Sequence, residues 1–141
     1  MAAFVATTML HGGMLIYGSQ EVGYPEPINF FHYVPVNWQA NPKLREEYKK
    51  LVAVYNDHPA LRSSGKVRQY ADDQNNVLCI DRVLNNDNVL VMVNVKDAPH
   101  VVEVPSMWAN RPIVNLMTGE EITLGTTIKM EPYQYLIAGN K

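Results

Sequence analysis

The chain has 141 residues, with 12 Lys and Arg against 14 Asp and Glu and a formal net charge of −2. That near-balance, with no basic run, leaves no electrostatic footprint for nucleic acid or an anionic membrane surface. Its single cysteine, Cys79, excludes an intramolecular disulfide framework and a cysteine-only metal site.

Met1 to Leu10 is apolar but has no basic flank, and Thr7-Thr8 and Gly12-Gly13 interrupt it. It is too short for the roughly 20 residues of a membrane span and lacks the layout of a signal peptide. Next comes the run Gly12 to Gly23, an apolar stretch that ends in a polar, Gly-flanked turn carrying Gln20 and Glu21. This is the pattern of a buried parallel strand, at about residues 14–18, that delivers polar groups to the open end of a sheet or barrel. No Lys or Arg precedes Lys43, and the only acids there are Glu21 and Glu26. The same stretch carries Phe4, Tyr17, Tyr24, Phe30, Phe31, Tyr33 and Trp38. A free surface normally holds more charge, so residues 1–42 are expected to be covered by protein outside this chain. Failing that, residues 1–40 should be poorly ordered, fold back on the rest, or self-associate.

Asn41 to Asn56 reads as a helix. Asn41 can cap it, and Pro42 at the first helical position loses no needed hydrogen bond. Leu44, Tyr48, Leu51, Val52 and Tyr55 share one face, and Glu46 and Lys50 stand i,i+4 on the other. Pro59 biases His58 away from helical geometry and ends the segment.

From about Ser63 the pattern turns to short strands: Val67 to Tyr70, Val77 to Leu84, Val89 to Val95, Val101 to Val104, Pro112 to Asn115, Glu121 to Leu124, Thr126 to Met130 and Tyr133 to Ala138. Asp72 to Asn76 is a polar turn, Asn85 to Asn88 a hairpin connection, and Thr118-Gly119 a tight turn. Val89, Val91, Val93 and Val95 fall on one face, expected to be core. Near-regular short strands with almost no helix signal indicate an antiparallel β-sandwich.

Three segments, in order, resemble the C-terminal part of the alpha-amylase family of glycoside hydrolases. Gly12 to Gly23 is similar to that family's block at the last barrel strand, a Pro-Gly turn followed by an apolar strand and Tyr-Tyr-Gly-x-Glu. Val36-Asn37-Trp38 resembles its apolar-Asp-Trp step. Leu51 to Arg62 resembles its Leu-Ile-x-Leu-Arg-x-x-His-Pro-Ala-Leu signature, and Pro132, Tyr133 and Ile137 its closing strand. His11, Met14, Gly18-Ser19, Asn37 and Tyr55 depart from the pattern. The resemblance implies a mainly β chain: residues 1–62 are the last β-strand and α-helix of a TIM (β/α)8 barrel, the helix at about 42–57, and residues 63–141 are the β-sandwich behind it.

By the same resemblance the parent enzyme would cleave α-1,4-glucans through a retaining pair of carboxylates roughly 5–5.5 Å apart. Those carboxylates would lie upstream, so this chain alone is expected to hold no catalytic residue and to be structural. Calcium would serve the parent enzyme through ligands outside this chain. Its partners would be the barrel part of the same polypeptide and the α-glucan. An accessory carbohydrate-binding module is the alternative.

Glu21 is the first site candidate, facing the rim where substrate binds or else capping amides in its own turn; Gln20 follows it. Tyr24 and Phe31 could stack on sugar rings, as could Trp38, while Trp108 could mark a second sugar site on the sandwich. The acid pairs Asp72-Asp73, Glu46-Glu47 and Glu120-Glu121 read as solvated surface carboxylates. His11, His32, His58 and His100 lack zinc-site spacing. Asn85 to Asn88 is oxygen-rich but lacks the order of a calcium loop.

Overall fold

A computed structural model describes residues 1–11, 13–72 and 77–140, without side chains for residues 69–72. The strands are β1 (Lys66–Asp72), β2 (Val77–Leu84), β3 (Asp87–Asn94), β4 (His100–Glu103), β5 (Pro112–Asn115), β6 (Glu121–Thr123), β7 (Thr127–Met130) and β8 (Tyr135–Gly139). Two α-helices precede them, α1 (Ala2–Leu10) and α2 (Pro42–Asp57), with 3-10 turns at Gln20–Val22 and Pro59–Leu61. Six strands form one sheet in the order β1-β2-β3-β8-β5-β6, and β4 pairs with β7 in a second. The ladders are antiparallel. The mainly β, antiparallel sandwich is therefore present. The polar turn at 73–76 and Gly12 fall outside the described residues.

The large sheet is buried on both faces. Val77, Cys79, Leu90, Met92, Leu136 and Ala138 turn toward the small sheet and meet Val102, Met130 and Trp108. Ile80, Val89, Val91, Val93 and Ile137 alternate to the other side, where α1 and α2 cover them with Phe4, Val5, Met9, Leu51 and Val54. The valine face of β3 is core as expected, and Leu90 and Met92 behind it are core as well. The helix-side core thus runs continuously across residue 62. The β2–β3 turn is a two-residue hairpin, Leu84 facing Asp87, with Asn85 at φ 54 in the left-handed region that asparagine tolerates.

In α2 the Asn41 side chain accepts from Leu44 N at 3.1 Å, and Pro42 occupies the first turn. Its buried residues are Tyr48, Leu51 and Val54. Val52 and Tyr55, expected in the same stripe, are half-buried beside it. Glu46 pairs with Lys49 at 2.5 Å, one residue short of the expected Lys50, because i+3 and i+4 neighbours compete for the same face.

One expectation for the first 40 residues changes, and one of the outcomes expected for them is seen. Residues 14–18, expected as a strand, form none: a strand exists only by pairing, and among the described residues nothing pairs with them. Ala2–Leu10 forms a helix that folds back on the sheet, as one of the expected outcomes had it, with Val5 and Met9 fully buried. By contrast Phe30, Phe31 and Tyr33 are 79%, 91% and 91% exposed, and Trp38 is 50% exposed.

Candidate functional site

The turn that carries Gln20 and Glu21 is held open by two left-handed residues. Ser19 has φ 61 and Gly23 φ 65, so the chain enters and leaves the Gln20–Val22 turn sharply. Gly23 N donates to Gln20 O at 3.0 Å, Tyr24 N donates to Ser19 O at 3.3 Å, and Val22 is buried. Gln20 Oε1 accepts from Tyr17 N at 3.2 Å, closing the turn from its other side.

This turn lies against α2. Ile16, Glu21, Arg45, Tyr48, Lys49 and Val52 line a cavity of about 280 Å³. Tyr48 stands between this cavity and the core, its ring tilted against Phe4 at a centroid distance of 4.8 Å. Burial pushes the Tyr48 phenol above the ordinary tyrosine range, a hydrogen bond with the Gln20 side chain pulls it back, and the charges of Glu21 and Glu47 push it further up. Glu21 Oε2 is buried and accepts no hydrogen bond. The alternative role for Glu21, a cap for amides of its own turn, is therefore not met by that oxygen.

Gln20 and Glu21 are thus brought together beside Tyr48, with the Arg45 and Lys49 side chains at the cavity wall. Tyr24 follows the same turn and is half-buried. Phe31 is not part of the cavity; its backbone N donates to Asn29 Oδ1 at 2.9 Å in an exposed loop. Glu21 is the one acid that lines the cavity among the described residues.

The remaining sequence candidates resolve structurally. Glu46 is exposed and held below the ordinary carboxylate range by its hydrogen bond from Lys49. Glu47 accepts from the Tyr135 hydroxyl at 2.5 Å, and burial, then that bond, pushes Tyr135 far above the tyrosine range. Asp73 lies outside the described residues, as does the side chain of Asp72. Asp87 does not fit a calcium ligand: Oδ1 meets His58 Nδ1 at 2.8 Å and Oδ2 accepts from Ala60 N at 2.8 Å. Those two bonds tie the helix-stop segment to the β2–β3 hairpin and give His58 a structural partner. No cluster of three His, Cys, Asp or Glu could hold a metal ion among the described residues.

Trp108 takes the structural reading and not that of a sugar site. It is 3% exposed, packed between the two sheets, and its Nε1 donates to Asp81 Oδ1 at 3.2 Å. A ring enclosed on both faces offers no platform to a sugar. The sequence reading also passed over Asp81 and Arg82, both 0% exposed. Their signal was two adjacent charges inside an otherwise apolar strand. Asp81 points into the space between the sheets and receives Arg68 Nε at 2.8 Å. Arg82 points to the helix side, and its desolvation lowers its pKa.

Residues 68–137 match the family model described as Maltogenic Amylase, C-terminal domain. No curated protein matches the chain. Among solved structures, the maltogenic amylase from S. marinus aligns with a TM-score of 0.78 at 22% identity, over 99% of this chain and 19% of that one. A maltogenic alpha-amylase, AmyB, from Thermotoga neapolitana aligns with a TM-score of 0.72 at 16% identity, over 99% of this chain and 35% of that one. AmyP in complex with maltotriose gives 0.72 at 16% identity, over 99% of this chain and 34% of that one. The chain therefore spans about a fifth to a third of the length of these proteins. Residues 68–137 form a maltogenic amylase C-terminal domain, and the chain belongs with the C-terminal part of the alpha-amylase family.

Proposed function

We propose that the chain is the C-terminal portion of an alpha-amylase-type glycoside hydrolase that cleaves α-1,4-glucans such as starch and maltooligosaccharides by a retaining mechanism. Residues 1–62 would complete the barrel with its last helix, α2, and with residues 14–18, which would find a strand to pair with only beside the other barrel strands; residues 63–141 are the sandwich behind it. The catalytic carboxylates belong to the part of the relatives' length that this chain does not span. Calcium, where the parent enzyme uses it, belongs to that part too. The chain's own contribution is structural, with Glu21, Gln20, Tyr24 and Phe31 on the side that meets the barrel floor and the glucan.

The family match over residues 68–137 carries this reading. Two features support the rest. Phe30, Phe31, Tyr33 and Trp38 expose aromatic surface in a stretch without a basic residue, as an interface awaiting cover would. Glu21 brings a buried, unpartnered oxygen that a barrel neighbour would satisfy. The reading of a free-standing carbohydrate-binding module loses its best residue with the burial of Trp108.

The test is incubation of the purified chain with maltoheptaose, followed by chromatography of the products. Intact maltoheptaose is the expected result. Release of shorter oligosaccharides that disappears in Glu21→Gln would overturn it, because hydrolysis would then reside in this chain.

A further inference from the structure

We propose that Arg82 is a positioning residue, a buried latch that locks α1 onto the sandwich and makes the two a single cooperative unit. The inference rests on the fold and is independent of the reaction proposed above.

Helix α1 depends on the rest of the fold. Its nine residues, Ala-Ala-Phe-Val-Ala-Thr-Thr-Met-Leu, have no side-chain N-cap, no acid in the first turn and no base in the last. A helix of this length is not stable alone in water, so tertiary contacts must hold it. Phe4, Val5 and Met9 supply an apolar part of that hold. Apolar contact is non-directional, however, and does not satisfy the carbonyls left open at the helix end.

Arg82 does so from across the sheet. Its Nη1 donates to Met9 O at 3.0 Å and to Leu10 O, the last carbonyls of α1. Its Nη2 donates to Arg62 O at 2.9 Å and Gly65 O at 3.0 Å, in the link from α2 to β1. One guanidinium thus joins three segments far apart in sequence. Its charge also sits at the negative end of the α1 dipole, the place where α1 has no base of its own. Nε of this buried guanidinium already lacks a partner among the described residues, so withdrawal of α1 would strand Nη1 as well and leave the charge held through Nη2 alone. A lysine has one ammonium and no planar fork, and could not serve the two directions together.

Hydrogen exchange of the whole 141-residue chain tests this, read at the α1 amides Ala6 to Leu10 and at those of β3. In the wild-type chain both sets should exchange with matching protection, through one global opening. In Arg82→Met, which keeps the stem and removes the fork, the α1 amides should lose at least about 30-fold more protection than β3, since hydrogen bonds to a charged group are among the strongest. Arg82→Lys should fall between the two. Equal loss at α1 and β3 in Arg82→Met, or no loss at α1, would overturn the latch. Should the variants not fold, the wild-type comparison decides: α1 amides exchanging well ahead of β3 would overturn it.

Discussion

Asp81 offers the sharpest quantitative test of the sandwich core. Its carboxylate is 0% exposed and has two partners among the described residues, Arg68 Nε at 2.8 Å and Trp108 Nε1 at 3.2 Å. Asp81→Ala leaves the Trp108 N–H without an acceptor between the sheets, a cost of about 1–3 kcal/mol. The Arg68 side chain is 40% exposed, so its guanidinium returns to water, and its lost pairing adds only about 0.5–1 kcal/mol. The expected destabilisation is therefore about 1.5–4 kcal/mol, which urea unfolding followed by far-UV circular dichroism measures directly. Trp108→Phe removes the donor, so in the double variant the orphaned group is gone. The two substitutions should then cost about 1–2 kcal/mol less together than their sum. A single variant within about 0.5 kcal/mol of wild type at constant m-value, or an additive cycle, would refute the reasoning.

Gly65 passes so close to the preceding turn that an added Cβ would lie 1.7 Å from Ala60 O, and its own carbonyl serves Arg82. Gly65→Ala should cost at least about 2–3 kcal/mol, whereas Gly125→Ala, whose nearest neighbour would be 3.5 Å away, should stay within about 0.5 kcal/mol in the same thermal melt. Tyr135 has its pKa raised by burial and by the hydrogen bond to Glu47. Its neutral form is the one the fold favours, so its contribution is complete below the unfolded tyrosine value of about 10 and is lost as pH climbs from there through the folded value. The difference between wild type and Tyr135→Phe in absorbance at about 295 nm should show no ionisation near pH 10 until the chain unfolds; an ordinary titration there would contradict the buried pair.

Features encoded locally were legible in the sequence. Asn41-Pro42 at one end and His58-Pro59 at the other bracket α2, because caps and proline sterics act within a few residues. Strands β2 and β5 lie where alternation and turn residues place them, and Gly119 at φ 76 makes the expected tight turn. What was not legible depends on partners distant in sequence. α1 has no caps and is apolar nearly all round, so only the sheet beneath it decides its form. Residues 14–18 have strand composition but, among the described residues, no strand to pair with. Trp108 reads first as a core residue and only second as a surface platform, and the Asp81 carboxylate that accepts from its N–H decides for the core. At the candidate site, Glu21 and Gln20 stood out as polar groups after an apolar run. Their neighbours Arg45, Tyr48 and Lys49 come from a helix face that the sequence alone does not orient toward them.

The central claim, that this is one part of an amylase-type enzyme, is tested most directly at its exposed aromatic loop. Hydroxyl-radical footprinting with mass spectrometry would read Phe30, Phe31, Tyr33 and Trp38 in the isolated chain and in a polypeptide carrying an amylase-type barrel ahead of it. All four side chains are open in the isolated chain and should be modified rapidly there. In the longer polypeptide they should be protected together while the outer strands of the sandwich remain unchanged. Equal modification in both would contradict the account.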